Sequence, residues 1–278
     1  MVRSGLIALY GGAVASALIQ AAPVSAQIPP AGDAEPIAEY TLRDFSAKVM
    51  MQHGDLGDTA RYRGANRELA AKPALLPRVV LLGASITFHW TRSRLPAAAA
   101  EIVNRGIPGQ NSSQMLLRFQ DDVIALRPAA VIIMEMTNDL RVFLRAPADP
   151  LVRSVLLHRL QQNIRAMADI AEANKVKVAL ASVPPIGPDH QRLQRDPETL
   201  RQANQWIRAF AASRGYPVLD LFQPIAAADG TLPATLGPDG LHPNADGYAR
   251  LAAAMSATLD SLRRKRPQER SPFTEPRE

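Results

Sequence analysis

Cysteine is absent from the 278 residues, and aromatic side chains make up only 5% of them. The first absence excludes disulfides, thiolate metal sites and a cysteine nucleophile. The second, with no interleaving of aromatic and basic residues, speaks against a stacking surface for nucleic acid. GxxxxGK[ST] and a GxGxxG turn after a strand are also missing, so a phosphate or nucleotide binder has little behind it. HExxH or a comparable metal-ligand cluster is not found either. No internal repeat with a period of about 20–50 residues is visible.

What is present is a globular composition, 47% hydrophobic and 21% charged, with a length suited to one large domain or two small ones. The formal charge is +6 and the pI about 10.0. Arg263, Arg264, Lys265 and Arg266 run together, so residues 263–278 are expected to be a basic, disordered tail. At the other end, Arg3 precedes an apolar stretch at 6–19 and then Val24-Ser25-Ala26. A basic start, an apolar middle and a small-residue end describe a secretory signal peptide at 1–26, cleaved after Ala26. An uncleaved anchor is the alternative, but Gly11, Gly12, Ser16 and Gln20 interrupt the run. Removing 1–26 takes away only Arg3, and +6 less one charge leaves +5. The expectation is a periplasmic or secreted protein with no stable membrane insertion. Residues 27–39, rich in Pro and Ala, read as a linker.

Alternating elements follow over 40–262. Helices are expected at 40–53 and at 58–72, the second with Asp58 as N-cap. RVVLLG at 78–83 is too short for a buried helix and reads as a buried parallel strand. Further strands are expected at 101–105, 130–136, 176–183 and 217–221. Helices are expected along Met115, Phe119, Val123 and Leu126 (capped by Asn111 or Ser112), at 150–174, at 197–213 and at 245–262. This alternation predicts a single three-layer α/β/α sandwich with about five parallel strands.

In such a sheet the loops after successive strands share one rim, where ligands bind. The rim would hold Ser85, Gly109, Asn138, the 184–190 loop and Asp239-Gly240-Leu241-His242-Pro243. Ester cleavage needs a nucleophile, a base, a group orienting the base, and oxyanion donors. Ser85 fits the first role, although a serine there also suits a helix cap. His242 is the leading base because Asp239 stands three residues before it in a glycine-containing turn; His89 and His190 remain rivals. Gly109 and Asn138 are candidate oxyanion donors, one through its backbone N–H and the other through its amide.

GASIT at 83–87, NRGIPGQNSSQ at 104–114, MTND at 136–139 and DGLHP at 239–243 resemble, in order, the four blocks of the SGNH (GDSL-like) hydrolases. The resemblance covers about 77–262, and DTARYRGAN at 58–66 is similar to a helical lead-in of some secreted members. It implies a flavodoxin-like fold, Ser85 as nucleophile with its own N–H in the oxyanion hole beside Gly109 and Asn138, and His242 as base oriented by Asp239. It also implies that no metal or cofactor is needed. Two departures stand out. Ala84 replaces the aspartate of GDS, removing a carboxylate that would brace the nucleophile turn, and Met136 replaces the glycine of GTND, where it is expected to narrow the oxyanion side. The expected function is an exported esterase for short acyl groups such as acetyl, on a small molecule, a carbohydrate or a cell-wall polymer. The alternative, motivated by Ala84 and Met136, is a catalytically weak or inactive protein that binds a carbohydrate or cell-envelope ligand in the same cleft. Nucleic acid is not an expected partner.

Overall fold

The computed structural model describes residues 54–91, 94–96, 100–134, 136–141 and 149–264, leaving aside the side chain of Gln191. The expected leader, linker and first helix, and the tail beyond 264, lie outside these residues. Five strands, β1 (Arg78–Gly83), β2 (Glu101–Gly106), β3 (Ala130–Ile133), β4 (Lys177–Ala181) and β5 (Val218–Leu219), form one all-parallel sheet in the order β2-β1-β3-β4-β5. The order reverses direction between β1 and β3, which is where open α/β sheets place their ligands.

Side chains alternate across the strands into two cores, as the pleat requires. Val80, Leu82, Val131, Ile133, Val178 and Leu180 face one side. Helices α1 (Arg63–Ala71), α3 (Ser112–Leu117), α4 (Phe119–Asp122), α5 (Pro150–Ala173) and α7 (Pro197–Arg214) contribute side chains to that core. Val79, Leu81, Ile132 and Ala179 face the other side. There they meet α2 (Ser85–His89) and α8 (Ala245–Arg263), whose Tyr248, Leu251, Met255 and Leu259 are buried. A four-residue helix, α6 (His190–Leu193), precedes α7. The three-layer α/β expectation is met.

The long helices match the sequence periodicity to within a residue or so because strong local signals fix their ends. Asp149 and Asp196 accept hydrogen bonds from the first N–H groups of α5 and α7, each with a proline in the first turn, and Asn244 caps α8. Asn111 closes a capping box with Gln114 at the start of α3.

Five boundaries differ from expectation. The strand expected at 130–136 ends at Ile133, and Met136–Asn138 forms a 3-10 turn instead. Asp58 is not an N-cap: it adopts a left-handed conformation (φ 51°), and the carboxylate of Asp55 takes the N–H groups of Thr59 and Ala60 instead. The helix therefore begins only at Arg63. The helix expected along Met115 to Leu126 breaks at Arg118 and Val123, although its four apolar residues are buried as expected. Strand pairing of β4 stops at Ala181, and the backbone of Val183 is taken over on both sides by the Asn204 amide of α7. After β5, Asp220 accepts from the N–H groups of Phe222 and Gln223 and turns the chain. Among the described residues, no helix is long and apolar enough to cross a membrane.

Candidate active site

β1 ends at Gly83, whose carbonyl accepts two hydrogen bonds, from Ile107 N–H at 3.1 Å and from the Arg118 guanidinium at 3.0 Å. The chain then turns into α2. Ala84, not Ser85, is the flanking residue, and it has no side chain with which to cap the helix. Ser85 is the first helical residue, about 9% exposed. Its hydroxyl reaches across the rim to the Nε2 of His242 at 2.8 Å. The cap reading of Ser85 is thereby set aside.

His242 sits in the loop before α8. Its Nδ1 lies 2.6 Å from the carboxylate of Asp239. A carboxylate can only accept, so Nδ1 carries the proton and Nε2 is left to accept from Ser85. The second oxygen of Asp239 accepts the N–H groups of Leu241 and His242, both at 2.8 Å. Gly240, at φ 77°, supplies the left-handed turn that lets one carboxylate reach all three donors. Partial burial of Asp239 disfavours its charge, but the hydrogen bonds from the His242 ring and the two N–H groups outweigh it and hold the carboxyl well below the ordinary range. The ring of His89 stands edge-on to that of His242, centroids 6.0 Å apart. Burial first, then the neighbouring His242 and Arg94, lower the pKa of His89. His190 lies on α6 and lines a separate cavity of about 580 Å³ between α7 and the 222–231 loop, a cavity to which Ser85 and His242 do not contribute. Of the three candidate bases, His242 is the one hydrogen-bonded to Ser85.

The opposite side is assembled from the loops after β2 and β3. Ile107-Pro108-Gly109-Gln110 is a tight turn closed by Gln110 N–H on Ile107, with Gly109 at φ 80°. Gly109 is exposed at its tip. Asn138, half-buried after β3, donates its amide to the carbonyl of Gln110 at 3.0 Å and accepts from Arg195 at 2.9 Å. The Ser85 turn, the Gly109 turn and Asn138 are thus joined through Gly83–Ile107 and Gln110–Asn138. Of the five residues singled out by sequence, Ser85, His242 and Asp239 are in direct contact, while Gly109 and Asn138 stand on loops bonded to the Ser85 turn and to each other.

The expectation for Met136 is corrected. Its side chain is 1% exposed and packs in the same core as Ala84, so it does not narrow a pocket. Both departures from the family pattern are core substitutions.

Sequence reasoning missed the buried polar frame beneath these residues. Arg118 and Asp122 form an ion pair at 2.8 Å and are completely buried. Besides Gly83, Arg118 also grips the Gln110 side chain at 2.6 Å. Asp122 accepts from Asn66 on α1, which accepts in turn from Arg105 on β2. Asp139 accepts the N–H and hydroxyl of Ser112, tying the loop after β3 to the start of α3. Burial outweighs those hydrogen bonds and raises the Asp139 pKa to about 6. The 184–196 segment is not a detached flap. It is bonded through Gly187 N–H and Arg192 to the backbone of Gly240 and Asp239, and through Arg195 to Thr137 and Asn138. Among the described residues, no group of three or more His, Asp or Glu side chains is arranged to hold a metal ion.

Known proteins share the fold. The family model for GDSL-like lipases and acylhydrolases matches residues 81–250. The crystal structure of a GDSL-like lipase from Bacteroides thetaiotaomicron is 32% identical, with a TM-score of 0.62 over 74% of this chain and 98% of that one. At 21% and 20% identity the likeness is one of fold alone. It extends to a lipase/acylhydrolase from Enterococcus faecalis (TM-score 0.52, 69% of this chain, 100% of that one). It extends also to a catalytic mutant of Axe2, an acetylxylan esterase of Geobacillus stearothermophilus (TM-score 0.52, 68% and 97%). No curated protein sequence is significantly similar to the chain.

Proposed function

The chain belongs to the GDSL-like lipase/acylhydrolase family, and from that premise we propose that it is an exported serine esterase acting on short-chain esters. The observation that carries this reading is the unbroken line of hydrogen bonds from Asp239 through His242 to Ser85, 2.6 Å and 2.8 Å long. In the proposed reaction His242 Nε2 takes the Ser85 proton as the hydroxyl attacks the ester carbonyl. The N–H groups of Ser85 and Gly109 and the amide of Asn138 hold the oxyanion. Collapse expels the alcohol, which receives its proton from His242, and leaves an acyl-enzyme on Ser85. Water, deprotonated by His242, then hydrolyses it. Nothing in this scheme calls for a metal or cofactor.

The acyl group is proposed to be a short one such as acetyl. The alcohol is proposed to be part of a small molecule, a carbohydrate or a cell-envelope polymer, reached after a leader at 1–26 is removed. Nucleic acid is not a proposed partner.

The test is labelling of the mature protein by a fluorophosphonate beside Ser85→Ala, with p-nitrophenyl acetate as substrate. Labelling and turnover that both vanish in the variant are expected. A folded protein that neither labels nor turns over would favour the non-catalytic, ligand-binding reading. Export is checked by the mature N-terminus, expected at Gln27.

A further inference from the structure

We infer that Arg195 is a positioning residue, which fixes the end of the Asn138 amide that faces the reacting ester; the inference rests on the esterase reading. An asparagine amide has two ends of nearly equal shape and opposite chemistry, one an acceptor and one a double donor. Only the donor end stabilises an oxyanion. Something in the protein must therefore choose the rotamer.

Arg195, at the end of the 184–196 segment, is 4% exposed. Its guanidinium is a rigid fork of N–H groups with no acceptor. Nε donates to the carbonyl of Thr137 at 3.0 Å, Nη1 to that of Leu193 at 2.7 Å, and Nη2 to Oδ1 of Asn138 at 2.9 Å. The flipped amide would set its NH₂ against the guanidinium, donor against donor, in a buried place. The fork therefore holds Oδ1 and turns Nδ2 the other way, where one N–H meets the carbonyl of Gln110 at 3.0 Å. The second N–H is the one we assign to the oxyanion. Because the fork also holds the preceding carbonyl of Thr137, side chain and backbone of this loop are fixed by one group. A cation on Oδ1 further polarises the amide and strengthens Nδ2 as a donor.

The experiment is a double-mutant cycle of Arg195→Met and Asn138→Ala, read by kcat and KM on p-nitrophenyl acetate with melting temperatures alongside. Arg195→Met is expected to lower kcat by about 10- to 100-fold with KM within about twofold. In the Asn138→Ala background the same change is expected to cost less than about threefold, since no amide remains to be oriented. Should Arg195→Met fail to fold, Arg195→Lys runs the same cycle, with a smaller loss that again disappears without the Asn138 amide. Losses that multiply independently in the cycle overturn the inference while leaving the esterase reading intact. An inactive, unlabelled wild-type protein overturns both.

Discussion

The two sides of the site are built on opposite principles. The side carrying the base is a single turn: Asp239 and His242 are three residues apart, with side chains 52% and 35% exposed. The side facing it is drawn from distant parts of the chain: Gly109 is exposed and Asn138 half-buried, but the Arg195, Asp139 and Ser112 that brace them are buried. Asn138 depends on Arg195, 57 residues away, and Asp139 on Ser112, 27 residues away. Their aspartates make the contrast sharp. Each accepts a backbone N–H and a side-chain donor, yet one carboxyl is held low and the other is pushed up to about 6. Solvent decides the sign. Where water still reaches the carboxylate, three hydrogen bonds win; where it does not, desolvation wins. The exposed turn is suited to moving protons, and the side braced by buried groups to holding a fixed dipole.

Substitutions should separate the two sides. The largest effect is expected on the exposed one: Asp239→Asn should lower kcat by roughly 10³- to 10⁴-fold, because the wrong imidazole tautomer is then favoured. Its stability should fall only by about 1–2 kcal/mol in urea unfolding, through the weakened hydrogen bonds to the lost carboxylate. Asn138→Ala should cost about 10²- to 10³-fold in kcat. Asp139→Ala should instead act mainly on stability, by about 1–3 kcal/mol, through the orphaned N–H of Ser112.

Acid titration sharpens the same comparison. The folded-state pKa of Asp139 is about 6 against an ordinary 3.8, so between those values the folded protein binds more protons than the unfolded chain. Its contribution therefore makes stability fall as pH rises through that window. Asp239 is shifted the other way: it adds stability above the ordinary carboxylate range, and that stability is lost as pH falls through its lowered folded value. The unfolding free energy of the wild type, minus that of Asp139→Asn, should thus decrease from pH 4 to pH 6.5. A difference that rises or stays flat would contradict the buried, raised-pKa assignment.

The contrast also marks what was legible in the sequence. The base side could be read directly, since DGLHP places acid and base in one turn. Ser85 and Asn138 could be read because each follows a strand with a clear apolar signature, and Gly109 because two glycines and a proline mark a tight loop after 101–105. The frame behind them could not. Arg118 and Asp122 are spaced i, i+4, which ordinarily reads as a solvated pair on a helix surface, yet both are wholly buried under the nucleophile turn. Arg195 stands among polar residues just before a helix cap, and nothing local connects it with Asn138. Met136 was legible as a departure but not in its consequence, because the direction of a side chain after a strand end depends on a turn that periodicity does not specify. Local signals named the groups proposed to react and the acid that orients the base; the frame behind Ser85 and Asn138 is fixed only by tertiary packing.

The most direct measurement is peptide mass mapping of the mature protein, quenched with acid during turnover of p-nitrophenyl acetate. The account predicts a single acetyl group on the peptide containing Ser85, absent from Ser85→Ala. Sustained turnover with acetyl on another residue, or undiminished turnover in Ser85→Ala, would contradict it.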